Sequence, residues 1–272
     1  MISQMTGAFA TASVIMPVRA TPPELLRAAI ESILFQSVRD IELIIVEDPS
    51  EHPGLKVVSE FKDDRLRYIY NEELTGLVAQ RNLGLQTATG EYIVKADSDD
   101  ISEPHRIERQ CAYLSERPEI GVVGSWLTII DENGRETGLR RYPTDSCEIH
   151  TAMRRINPIA QPAACFRRSL FEEHGGYPEG YPVCQDYAYW SHLANRGVRF
   201  ANLPEPLVRY RQHAASIKST KLRESVRATI RVKQQYWHNE LTPGDRLRLI
   251  GEQALEHLPS KFVHWLFRTL YQ

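Results

Sequence analysis

Short apolar runs alternate with helical stripes through the first hundred residues. Ala12 to Met16 (ASVIM) and Ile41 to Val46 (IELIIV) are apolar at nearly every position, as strands covered on both faces are. Between them Leu26, Ile30 and Ile33 recur at i, i+4 and i+7, one face of a helix. Thr21-Pro22-Pro23-Glu24 precedes that stripe and has the form of a capping box with proline at the first helical position. The alternation continues with a short helix over Val57 to Phe61, a strand over Leu66 to Tyr70 and a helix over Leu77 to Thr87. A strand over Tyr92 to Ala96 and a helix stripe at Ile107, Cys111 and Leu114 follow. Such alternation predicts an α/β fold with a mostly parallel central sheet flanked by helices.

Beyond Gly121 the rhythm changes. Val122 to Ile130 predicts a longer strand, Asp131-Glu132-Asn133-Gly134 a turn, and Thr137 to Tyr142 the returning strand. A helix near Cys147 to Arg154, a strand at Ala163 to Phe166 and a helix at Asp186 to Arg196 come next. Strands at Val198 to Leu203 and Leu207 to Tyr210 close this half, and from Ser216 the pattern is helical throughout. The expected organisation is one α/β unit over 1–215 with a helical extension over 216–272.

Composition narrows the classes. With 42% hydrophobic and 25% charged residues over 272, the chain has the profile of a globular protein with a substantial core. A net charge of -2 argues against a nucleic-acid partner. The four cysteines are far apart and lack C-x-x-C spacing, which suits reduced thiols and a cytoplasmic setting. The first residues have no basic, apolar leader, and no stretch approaches the roughly 18 apolar residues of a spanning helix. From Lys221 onward nine Lys and Arg face five acids, and Phe262, Trp265, Leu266 and Phe267 lie beside Lys261 and Arg268. Two expectations compete for this tail: peripheral contact at the inner face of a membrane, or helices that join a homo-oligomer or the chain's own α/β unit.

Two acidic clusters follow directly on predicted strands: Glu47-Asp48, and Asp97-Ser98-Asp99-Asp100. In an open α/β sheet ligands bind beyond the carboxyl ends of the strands, so both clusters are expected in one crevice. Gathered carboxylates repel one another unless a cation or donors compensate. Mg²⁺ or Mn²⁺ commonly takes one or two carboxylates plus substrate phosphate oxygens. A lone D-x-D is a weak signal, and a solvated loop explains it as well; a second acidic cluster after a neighbouring strand shifts the balance.

Four ordered segments then carry a resemblance: SVIMPV, IELIIVEDPS, GLVAQRNLGLQTATGEYIVKADSDD and GGYPEGYPVCQDYAYWSHLANRG, with YRQHAAS downstream. Together they resemble family 2 of the inverting glycosyltransferases, which have the GT-A fold. That resemblance implies a metal-dependent transfer of sugar from a UDP- or dTDP-sugar to a glycan, lipid-linked or other hydroxyl acceptor. It makes 12–120 the nucleotide-sugar-binding half and 121–215 the acceptor half, and its common setting is bacterial surface polysaccharide assembly. Carried over residue by residue, it implies that Pro17, Val18, Glu47, Asp48, Arg81, Asp97, Ser98 and Arg211 line the donor site. Asp48 would hold the pyrimidine base, Asp99 and His213 the metal, and Asp186 would be the general base. Asp186 also reads as an N-cap, Asp100 as a cap for the next helix, and Arg81 as an ion-pair partner of Asp97 or Glu47. Glu47, Pro49 and Gln185 depart from the family's Asp, Gly and Glu. Two other functions remain open at this point: a sugar-1-phosphate nucleotidyltransferase, and a nucleotide-sugar-binding module without catalysis. The first usually has a glycine-rich loop where this chain has PVRATPPE, and a Rossmann dehydrogenase is disfavoured because no G-x-G-x-x-G follows a strand here.

Overall fold

The structure is a computed structural model, and it describes residues 11–212 and 222–255. Its first half holds β1 (Ala12–Val18), α1 (Pro23–Leu34), β2 (Ile41–Glu47), α2 (Leu55–Val58), β3 (Leu66–Tyr70), α3 (Leu77–Thr87) and β4 (Tyr92–Lys95). Then come β5 (Ile101–Ser102), α4 (Arg106–Glu116), β6 (Ile120–Ile130), β7 (Glu136–Arg140) and α5 (Ser146–Met153). A 3₁₀ turn (Gln161–Ala163), β8 (Cys165–Arg167), α6 (Arg168–His174), α7 (Gln185–Ala194) and β9 (Arg199–Arg211) follow. The strands form one sheet in the order β3-β2-β1-β4-β8-β6-β9-β5, with β7 paired to β6. β1 to β4 are parallel; β8 runs against both β4 and β6, and β9 runs with β6. Six of the nine strands therefore point one way, the mostly parallel sheet that the alternation predicts.

Every residue of β1 and β2 is buried, because helices cover both faces. Val14 and Met16 meet Leu26, Ile30 and Ile33 of α1 on one face, while Ile15 and Ile44 meet Leu85 on the other. α3 lies so close to the sheet that a Cβ on Gly84 would come within 2.4 Å of Ile15 Cγ2. That approach brings Gln80 and Arg81, one turn earlier, to the carboxyl ends of the strands.

Several local expectations are corrected. Thr21 makes no cap bond to α1; its Oγ1 lies 2.6 Å from Ser98 Oγ, and Pro22 occupies the cap position. The prolines already preset the helix start, which frees the hydroxyl for the acidic loop. The short helix ends at Val58 rather than Phe61. The two strands expected around Pro204 and Pro206 are one continuous β9, and irregularities at Ser125 to Leu127 of β6 absorb the prolines.

The C-terminal region continues as α8 (Leu222–Val232), a π-helical turn (Lys233–Trp237) and α9 (Pro243–Leu255). Thr242 and Asp245 form a reciprocal box at the start of α9: Asp245 Oδ2 accepts the Thr242 N–H, and Thr242 Oγ1 accepts the Asp245 N–H. Trp237 is fully buried, and its indole N–H donates to Ser191 Oγ of α7 at 2.9 Å. Among the described residues no helix is long and apolar enough to cross a membrane. His213 and the apolar segment around Trp265 lie outside the described residues.

Candidate active site

The carboxyl ends of β2, β1 and β4 lie side by side, with β1 in the middle. Gln80, buried on α3, donates to the Val18 C=O at 2.9 Å and the Val46 C=O at 3.0 Å, knitting two of these ends together. Pro17 and Val18 are buried in the last positions of β1, opposite Val46 and Glu47. Both carboxylate oxygens of Glu47 are engaged: Oε1 accepts the Gly54 N–H at 2.7 Å and Oε2 accepts the Tyr68 hydroxyl at 2.7 Å. Its place in the crevice is that of a brace for the loop after β2.

Asp48 braces the next loop. Its Oδ1 accepts from Asn71 Nδ2 and Thr75 Oγ1, both at 2.8 Å, and its Oδ2 accepts the Gly76 N–H at 2.7 Å. Burial pushes its carboxyl up, but these donors outweigh burial and hold it below the usual range. A depressed folded value means the carboxylate stabilises the fold above the unfolded pKa of about 3.9, and that contribution is lost as pH falls through the folded value. Asp48→Asn is therefore expected to lower the thermal midpoint near neutral pH, with the gap to wild type closing on acidification. A gap independent of pH, read by circular dichroism melts, would contradict this account.

The second cluster caps β4. Ser98 reaches back to Thr21 beneath β1, and Arg211 at the end of β9 holds the loop from the other side. The Arg211 N–H donates to Asp100 Oδ1 at 2.8 Å and its Nε to the Asp99 C=O at 3.0 Å. Its Nη1 donates to the carbonyls of Asp131 and Glu132. Nε and Nη1 of the guanidinium are thus engaged with backbone carbonyls, which fixes Arg211 beside the acidic loop. Asp100 does not cap α4, whose cap position is His105. Its Oδ2 is buried with no hydrogen-bond partner among the described residues. Burial, with Asp97 and Asp99 adding repulsion, pushes that carboxyl well above the usual range against the Arg211 N–H and Arg106.

Asp97 lies 3.8 Å from Arg81, the ion pair expected, while Glu47 takes no part in it. Burial pushes the Asp97 carboxyl up, Arg81 and Lys95 pull it down, and Asp99 and Asp186 push it further up. Asp186 therefore sits within electrostatic reach of the β4 acids. It occupies the first turn of α7, which begins at Gln185; the cap position belongs to Cys184, in the left-handed region at φ 58°. Asp186 Oδ2 accepts from Asn157 Nδ2 at 2.8 Å.

Three features of this floor escaped the sequence reading. Lys95 ends β4 fully buried, with no hydrogen-bond partner for Nζ among the described residues. Burial, and then Arg81, push its pKa well below the ordinary lysine value. Arg81 and Lys95 both approach the Tyr177 ring, at 5.4 and 5.6 Å from its centre. The Tyr177 backbone is gripped by Asn82, which donates to its C=O at 3.0 Å and accepts its N–H at 2.8 Å. The available signals were a lysine closing an otherwise apolar strand and an Arg-Asn pair inside a helix.

The fit of a divalent cation can be judged from these groups. Among the described residues no three His, Cys, Asp or Glu side chains converge as a ligand cage. Asp97, Asp99 and Asp100 nonetheless repel one another at the end of β4, a repulsion that a cation bound there would offset. Such a donor set suits an ion that draws most of its ligands from phosphate oxygens and water.

A twisted, mostly parallel sheet with acids at the carboxyl ends of adjacent strands defines the GT-A class of nucleotide-sugar enzymes. The family model described as glycosyl transferase family 2 matches residues 13–175, and the chain belongs to that family. It is 31% identical over 246 residues to an uncharacterized glycosyltransferase of Haemophilus influenzae, covering 84% of this chain and 74% of that protein. Over 261 residues it is 28% identical to the UDP-Gal:alpha-D-GlcNAc-diphosphoundecaprenol beta-1,3-galactosyltransferase of Escherichia coli, covering 91% of each. Its fold resembles that of the mannosyltransferase PcManGT from Pyrobaculum calidifontis in complex with GDP-Man and Mn²⁺, with TM-score 0.65, 18% identity and 92% and 70% of the two chains covered. The chain is a glycosyltransferase, and the nucleotidyltransferase alternative falls away.

Proposed function

We propose that the chain is an inverting glycosyltransferase that moves a sugar from a UDP- or dTDP-sugar to a hydroxyl of a glycan or lipid-linked acceptor in surface polysaccharide biosynthesis. The observation that carries this reading is the acidic end of β4, where Asp97 pairs with Arg81 at 3.8 Å and feels the charge of Asp186. Asp186 takes the proton from the acceptor hydroxyl as that oxygen attacks the anomeric carbon from the face opposite the leaving diphosphate. One displacement inverts the configuration.

On the donor side, Asp48 would accept the N3–H of a pyrimidine through Oδ2, beside the Gly76 N–H it already accepts. Pro17 and Val18 wall the base, and Arg81 offsets diphosphate charge with a guanidinium whose Nε has no hydrogen-bond partner among the described residues. Asp99, with Asp97 two residues before it and His213, two residues past the end of β9 in the chain, would hold Mn²⁺ or Mg²⁺. When bound, that ion offsets the charge developing on the leaving diphosphate, so no second carboxyl is required as an acid. The mannosyltransferase neighbour holds Mn²⁺, and the Escherichia coli relative uses UDP-Gal and a diphosphoundecaprenol-linked acceptor, as their names state.

The test is calorimetric titration of UDP, dTDP and GDP with Mn²⁺, Mg²⁺ or EDTA, on wild type and Asp99→Ala. Expected is binding of a pyrimidine diphosphate that needs the metal and is lost in Asp99→Ala. Equal binding in EDTA would remove the metal from the reading, and preference for GDP would remove the pyrimidine.

A further inference from the structure

Asn157 lies between α5 and the 3₁₀ turn, half-buried. Its Nδ2 donates to Asp186 Oδ2 at 2.8 Å while its Oδ1 accepts the Ile159 N–H at 3.2 Å. A carboxylate only accepts, and a backbone N–H only donates. The two partners therefore fix which end of the amide faces Asp186.

The segment that carries Asn157 is itself clamped. Asn202 of β9, 2% exposed, donates through one nitrogen to the Pro143 C=O at 2.7 Å and the Pro158 C=O at 3.1 Å. Gly124 of β6 makes room for that side chain, since a Cβ there would stand 2.1 Å from Asn202 Oδ1. A rigid path thus runs from two sheet strands, through Pro158, to one oxygen of Asp186. No local bond within α7 does this job: the cap residue Cys184 makes no side-chain cap bond, and Asp186 sits on the helix's first turn.

We infer that Asn157 is a positioning residue for Asp186, an inference that rests on Asp186 being the base. By engaging Oδ2 it stops rotation of the carboxylate and leaves Oδ1 for the acceptor hydroxyl. The titratable groups that feel Asp186 are Asp97 after β4, Tyr177 before α7 and Tyr142 after β7. Each is an acid that repels a carboxylate once ionised, whereas the Asn157 amide donates a hydrogen bond to it.

The experiment follows nucleoside diphosphate release from a panel of UDP- and dTDP-hexoses, with water as the acceptor, across pH. Asn157→Asp preserves shape but sets a second carboxyl against the first, and two carboxyls that close cannot both ionise. The acid limb of its kcat/KM profile is expected to move up by about one pH unit or more. Asn157→Ala is expected to lower kcat by about 10–100-fold, the cost of a base displaced by a fraction of its reach, with donor KM unchanged. A wild-type profile in Asn157→Asp, or a loss in Asn157→Ala confined to donor KM or to thermal stability, would overturn the proposal. Asp186→Asn separates the two readings. If it retains wild-type kcat, the base assignment fails; if it is inactive while Asn157→Asp keeps the wild-type profile, positioning by Asn157 alone fails.

Discussion

Asp186→Asn is expected to lower kcat by about 10²–10⁴-fold while leaving metal-dependent nucleotide binding intact. The amide is close to isosteric with the carboxylate and still meets Asn157, so the helix start and the surrounding packing have little reason to change. What disappears is the group that accepts a proton in the transition state. The Asp186 carboxylate is held by Asn157 rather than by Asp48 or Arg81, so donor affinity should not follow kcat down. Stopped-assay turnover paired with calorimetry of the nucleoside diphosphate checks both halves of the statement. If affinity falls together with turnover, Asp186 is holding the donor-side loop rather than the proton. Removal of its negative charge should also relax Asp97, whose carboxyl Asp186 pushes up.

The sheet was legible in the sequence because β1 and β2 are buried on both faces, which leaves unbroken apolar runs with acids after them. The acids themselves were legible as a cluster but not as individuals. Glu47 and Asp48 are neighbours in the chain, yet one turns to Gly54 and Tyr68 and the other to Asn71, Thr75 and Gly76. No spacing rule encodes which loop a side chain will meet. Thr21 shows the same limit: a correct local signal for a cap lost to a partner 77 residues away. Asn157 and Gln80 left no trace as site residues, since an amide is ordinary anywhere on a surface and its value here comes from two long-range partners. The resemblance supplied Asp186, whereas composition and periodicity alone offered it only as a helix cap.

Trp237→Ala is expected to destabilise the whole described fold, by roughly 3–5 kcal/mol. The indole is fully buried against α5 and α7: its N–H reaches Ser191 Oγ at 2.9 Å, and the His150 ring stands edge-on at 5.1 Å. Truncation leaves a cavity and a buried hydroxyl without its donor. Three further bonds tie the same region to the segment before Asp186. Arg231 donates to the Gly180 C=O at 3.0 Å, the Tyr181 hydroxyl to Gln235 at 2.7 Å, and Cys184 Sγ lies 3.6 Å from Thr229 Oγ1. If α8 and α9 were a mere appendage, Trp237→Ala would add an early transition and leave the main one in place. Because α8 and the π-helical turn grip residues 180–184, we expect instead one cooperative transition, lowered by on the order of 10 °C. Turnover should fall at temperatures where the fold is still intact, since the left-handed Cys184 that launches α7 loses support. Scanning calorimetry decides between the two: a separate low-temperature transition with unchanged kcat would make the C-terminal helices independent of the site. A single shifted transition with reduced kcat would place them among the parts that hold the base.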